Sequence, residues 1–85
     1  MRNRLRIKQF ASNMTVLSKG EWEILFSYET PVAGVRTLES GNLQAFKTDT
    51  YFSVTTSKHI GKYLNSLGLS TMVTLPQDEI EAMAS

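Results

Sequence analysis

The stretch Tyr51 to Leu67, YFSVTTSKHIGKYLNSL, constrains the fold of this chain more than any other, because nothing else in it can form a long amphipathic helix. Ser53, Thr55, Thr56 and Ser57 crowd the point where an alternating pattern gives way to helical spacing. Hydroxyl side chains accept hydrogen bonds from the free amides of a first helical turn, which places the cap at Thr55 or Thr56. Beyond it, Ile60, Tyr63, Leu64 and Leu67 recur at the three-and-four spacing of one buried stripe, while Lys58, Lys62, Asn65 and Ser66 fall away from it. Gly68 supplies the left-handed residue that commonly closes a helix. Gly61 costs roughly 1 kcal/mol against alanine in a helix interior. Either another backbone comes close there, or the position is an indifferent piece of surface.

The preceding half of the chain alternates as strands do. Trp22, Ile24, Phe26 and Tyr28 take one side of Glu21 to Tyr28, and Glu21, Glu23 and Ser27 take the other. Leu25 interrupts the polar side, so that side is expected to be partly covered. Arg4, Arg6 and Lys8 alternate with Leu5 and Ile7 in a first, edge-type strand whose cations discourage edge-to-edge pairing. Met14 to Leu17 is a short strand ending in a turn at Ser18-Lys19-Gly20, with glycine free to take positive φ. After Pro31, Val32 to Leu38 resumes as a strand in which Gly34 suggests a bulge or a close backbone approach. Glu39-Ser40-Gly41-Asn42 then turns the chain back along Leu43 to Lys47. Tyr51 to Val54 reads as a strand end, and Ser70 to Val73 as a short extended piece.

In TLPQDEIEAMAS, Thr74 and Gln77 have capping-box spacing and Pro76 suits a first turn. Asp78 and Glu79 suit the positive end of the dipole, and Ile80 and Met83 are placed to dock on the body. The expected architecture is therefore α+β and a single domain over residues 1–85. An antiparallel meander of four to five strands carries one main helix on a face and a short C-terminal helix at an edge. Its core is expected to include Trp22, Ile24, Phe26, Val32, Val35, Leu43, Phe46, Phe52, Val54, Ile60, Leu64 and Leu67.

Eighty-five residues leave no room for a second domain, and a chain this size buries only about 60–65% of its unfolded surface. Without cysteine, disulfide stapling and thiolate metal sites are excluded. No apolar run approaches a membrane span and the N-terminus lacks an apolar signal core, so a cytoplasmic location in the host cell is expected. The net charge is only +1 but unevenly spread. Arg2, Arg4, Arg6, Lys8 and Lys19 precede residue 21 with no acid among them, whereas Asp78, Glu79 and Glu81 close the chain with no base.

No constellation for catalysis emerges. His59 is the only histidine, and one histidine without cysteine or paired carboxylates is no metal site. The hydroxyl residues lack an assignable base and orienting acid. There is no phosphate-cradling glycine loop and no dinucleotide fingerprint, so neither cofactor nor enzymatic activity is expected. Two contact regions remain. Arg2, Arg4, Arg6 and Lys8, with Lys58 and Lys62, form a basic set for an acidic protein surface or for nucleic acid, where Tyr51 or Phe52 offers a stacking face. Thr55, Thr56, Ser57, Lys58 and His59 gather at the positive end of a helix dipole and make an anion-binding candidate, although ordinary capping needs only one of those hydroxyls.

SYETPVA (Ser27 to Ala33), followed some twenty residues later by YFSVTTSKHIGKYL (Tyr51 to Leu64), resembles a family of small proteins of unknown function encoded by phages and mobile elements. The resemblance covers roughly the middle half of the chain. It implies a phage-borne accessory protein, a class that often binds and redirects a host macromolecule. The leading expectation is non-catalytic binding of a host protein, as an inhibitor or modulator, with a self-paired homodimer as one form. Nucleic-acid binding is the alternative, and anion or small-ligand binding at the helix start is the third.

Overall fold

Trp22–Ser27 lies inside a six-stranded sheet whose strands follow the order of the chain. The computed structural model describes residues 5–69 and 72–84. Its elements are β1 (Leu5–Ala11), β2 (Met14–Lys19), β3 (Trp22–Ser27), β4 (Thr30–Thr37), β5 (Leu43–Thr48), α1 (Val54–Leu67), β6 (Met72–Leu75) and α2 (Gln77–Ala84). The first five strands form an antiparallel meander. β6 then joins parallel to β5 after the α1 crossover. The fold class is α+β as expected, with six strands where four to five were expected. The sixth overlaps the short extended piece expected at residues 70–73, whose four residues carry too little alternation to mark it as a strand of the sheet.

Both faces of the sheet are covered. Ile24 and Leu25 are each fully buried, and successive strand residues point to opposite faces. Leu25 joins Met14, Val16, Val32, Ala33 and Tyr63 of α1 in one core cluster, against which Ile60, Leu64 and Leu67 pack. Ile24 joins Phe46 and Ile80 of α2 in the other, with Trp22, Phe26 and Met83 alongside. The short C-terminal helix therefore caps a face, and its expected place at an edge is corrected. Ile80 and Met83 dock as their spacing implied.

The turns follow local chemistry. Asn13 at φ 61 and Gly20 at φ 62 supply left-handed residues between β1, β2 and β3. Opposite Leu25 and Phe26, the partners are Ala33 and Pro31, so Val32 is the extra residue of a bulge beside the proline. Gly34 answers to the other expectation, close approach: a Cβ there would meet Glu23 O and lie 2.6 Å from Phe46 Cζ.

The helix starts earlier than the hydroxyl pattern implied. Ser53 is the cap, its Oγ accepting from Thr56 N at 3.0 Å, so the placement at Thr55 or Thr56 is corrected. Residues 51–53 are accordingly not a strand end. Gly68 closes α1 at φ 66. Gly61 faces open space, which makes it a surface position. At α2, Thr74 stays on β6 and Gln77 Nε2 donates to Pro31 O at 2.8 Å, tying the helix to β4 where a capping box was expected. Leu43, Phe52 and Val54 are exposed, against the expectation that they were core. Phe52 and Val54 fall outside because the chain leaves the sheet before them. Leu43 falls outside because it opens β5 at the sheet's end. No helix among the described residues is long and apolar enough to cross a membrane.

Candidate functional site

The end of the sheet where β3 and β5 finish brings together the start of α1, the turn at Asn13 and the turn at Tyr28. Ser27 is the hub. Its Oγ lies 2.8 Å from His59 Nδ1 and 3.0 Å from Thr56 Oγ1, and the side chain is only 2% exposed. One hydroxyl thus joins the last residue of β3 to two consecutive turns of α1. The two sequence segments quoted above, Ser27–Ala33 and the run from Ser53 to Ile60, meet at this hydrogen-bonded trio.

Tyr28 follows at φ 58, a conformation that a bulky side chain rarely takes and that marks local strain. Its amide donates to Asn13 O at 2.8 Å, and its ring tilts over the His59 imidazole with centroids 5.7 Å apart. The ring is 53% exposed. Tyr51, Phe52 and Val54, which connect β5 to α1 at this same end, are also exposed, Tyr51 the most at 69%. Deeper under α1, Tyr63 OH donates to Glu23 Oε1 at 2.6 Å, and the Phe10 ring meets the Tyr63 ring edge-on. Burial, reinforced by that hydrogen bond and by the Glu23 charge, holds the Tyr63 phenol well above its usual range.

A serine hydroxyl within reach of an imidazole is half of a nucleophile's equipment. Here the hydroxyl is buried and shared with Thr56, and among the described residues no carboxylate bonds to His59. The arrangement as it stands fastens a helix to a strand. It also fixes the orientation of the imidazole and, through it, of the exposed Tyr28 ring.

The anion-binding candidates divide accordingly. Thr56 and His59 turn inward to Ser27, while Thr55, Ser57 and Lys58 are exposed along the first turns of a helix with no acid in its first turn. Of the basic set, Arg2 and Arg4 lie outside the described residues. Arg6 and Lys8 stand on β1 opposite Ser18 and Val16. Lys58 and Lys62 are exposed four residues apart on α1, on one side of it, and neither forms an ion pair among the described residues. The structure thus places these two lysines on a different element from β1. Ser27 and Tyr28 escaped the sequence reading. For Ser27 the signal was present in the paired segments, but a strand serine facing a helix looks like any solvent-facing serine. For Tyr28 there was none, since its backbone conformation leaves no mark on residue choice when the residue is not glycine.

A model of a protein family described as a family of unknown function (DUF8033) matches residues 2–82, and the chain belongs to that family. No curated protein and no solved structure matches it.

Proposed function

We propose that this protein is a non-catalytic binding module that engages another protein through the sheet end bearing Tyr28, Tyr51, Phe52 and Val54. In this reading it is an accessory protein of a phage or mobile element, and its partner is a host protein that it inhibits or modulates. The observation that carries the proposal is the exposure of these four large apolar side chains around one end of a sheet covered on both faces. Aromatic residues are enriched at the centres of protein interfaces, where a few of them supply most of the binding energy. Tyr28 adds a second support: its strained backbone and its contact with the anchored His59 ring hold an exposed aromatic in one place.

The test is affinity capture from host cells with the tagged chain and with a Tyr28→Ala/Tyr51→Ala variant. The parent recovers a defined protein, and the variant, with an unchanged melting temperature, does not. Repeated capture of the bait alone, or equal recovery by the variant, removes the proposal. Nucleic-acid binding through Arg6, Lys8, Lys58 and Lys62 is the competing outcome. It would declare itself by an affinity for single strands that falls steeply with salt and survives the aromatic substitutions.

A further inference from the structure

The two outer strands of the sheet are built differently. β1, on one side, carries Arg6 and Lys8 and shifts register between Gln9 and Ala11, and both features discourage a further strand from adding there. β6, on the other, has no charged residue and no proline between Met72 and Leu75, and it pairs with β5 without a register shift. Leu75 O accepts from Asp49 N at 3.0 Å, so Leu75 turns its backbone groups toward β5. These groups alternate in direction along a strand. Val73 therefore faces β5 with Leu75, while Met72 and Thr74 point their N–H and C=O groups away from β5, past the edge of the sheet. Both residues are exposed, Met72 at 46%, and these outward groups have no partner among the described residues. Pro76 ends the row, since it has no N–H and its carbonyl accepts from Glu79 N and Ile80 N.

We infer that the β6 edge is a self-association site, at which a second copy of this chain adds its own β6 antiparallel across a two-fold axis. The geometry of the free groups selects this occupant. With the axis at Val73, Met72 of each copy lies opposite Thr74 of the other. Each such pair exchanges both of its N–H···O bonds, so every outward group of the two residues is matched. The Val73 side chains then meet at the axis as a non-hydrogen-bonded pair, where opposed side chains come closest. Val73 already packs against Ile24, Phe46 and Ile80, so this contact joins the apolar layers of the two copies. No charge on Met72–Leu75 opposes a copy of itself. The paired stretch is four residues long, which places the dimer in the weak, exchanging class. This site does not rest on the reading of the Tyr28 end, whose aromatic residues take no part in it.

Sedimentation of the full chain, followed from about 10 μM to about 1 mM, reads the association directly. The mass is expected to rise from one copy toward two. Over the same range hydrogen exchange at the Met72 and Thr74 amides should slow, while Val73 and Leu75, whose amides face β5, are protected throughout. Two double variants fix the register. Met72→Lys/Thr74→Lys sets like charges opposite each other in both pairs and should weaken dimerisation at least about tenfold, as should Met72→Glu/Thr74→Glu. An equimolar mixture of the two sets lysine opposite glutamate and should associate at least as well as the parent. Each variant's amide spectrum verifies its fold, and Tyr28→Ala/Tyr51→Ala should dimerise as the parent does. A single-copy mass throughout, protection that appears only elsewhere than at Met72 and Thr74, or a mixture no better than either variant alone would overturn the assignment.

Discussion

The two faces of the sheet are closed by different chemistry. Under α2 the core is apolar, with Ile24, Phe46 and Ile80 fully buried and Gly34 leaving room for Phe46. One hydrogen bond, from Gln77 to Pro31 O, ties the helix to β4 beside it. Under α1 an apolar cluster is interrupted by hydrogen-bonded groups: Ser27 with Thr56 and His59, and Glu23 with Tyr63. Apolar contact is non-directional and tolerates small shifts of a helix on a sheet, whereas hydrogen bonds hold donor and acceptor to a few tenths of an ångström. The α2 face therefore supplies cohesion, and the α1 face supplies the register that aims His59 and Tyr28. The face that specifies position is also the one next to the proposed docking end.

Substitutions at the centre of the apolar face should have the largest effects. Ile80→Ala removes a fully buried side chain and leaves a cavity, and is expected to cost about 3 kcal/mol. Gly34→Ala should approach the same loss by the opposite route, because the new Cβ meets a backbone oxygen that cannot swing aside. Urea unfolding measures both. If Gly34→Ala proves neutral, the close fit credited to that face is absent.

Substitutions on the other face should cost less and show coupling. Ser27→Ala leaves the buried Thr56 hydroxyl without its partner and is expected to lose about 2 kcal/mol. Ser27→Ala combined with Thr56→Val should lose less than the sum of the two single changes, the mark of a shared hydrogen bond. Additive losses would reduce the trio to ordinary packing.

Tyr63→Phe is expected to cost about 1 kcal/mol near neutral pH, since Glu23 is left without its donor. Its clearest effect lies in alkali. The folded phenol has its pKa raised, so its contribution is fully present below the ordinary tyrosine value, about 10. Above that value the unfolded chain ionises first and binds fewer protons than the folded one, so stability falls with rising pH. The parent should therefore lose stability more steeply than Tyr63→Phe above pH 10, and parallel curves would remove the assigned cause.

These pairings explain what the sequence made legible. The β3 alternation identified a central strand, and the Ile60–Tyr63–Leu64–Leu67 stripe identified the helix, because both are repeated signals that depend only on local periodicity. The polar side of β3 misled for a physical reason: Glu23 and Ser27 look solvent-facing, yet each finds its partner on a helix some thirty to forty residues away. Leu25 was the one residue on that side hinting at a cover. An extended piece was legible at residues 70–73, but not its place in the sheet, because the parallel pairing of β6 with β5 is a long-range choice made by the crossover. Of the candidate site, His59 and the hydroxyl-rich helix start were visible by residue type. Their hub, Ser27, was set by register, and Tyr28 by backbone conformation.

The smallest expected effect has the opposite sign and tests whether α1 is fixed by its side-chain bonds alone. Gly61 lies in the helix interior, yet a Cβ there would meet nothing within 4 Å. Replacing it with alanine should leave packing unchanged and stabilise the protein by up to about 1 kcal/mol, through the entropy glycine loses on entering a helix. The gain should add to the loss from Ser27→Ala, because the two sites share no partner. A stiffer α1 should also leave the Tyr28–His59 contact intact, read as an unchanged chemical shift of the His59 ring protons. If Gly61→Ala moves those resonances or weakens capture at the Tyr28 end, flexibility at the middle of α1 helps to set the imidazole, and the hydrogen bonds to Ser27 are not sufficient on their own.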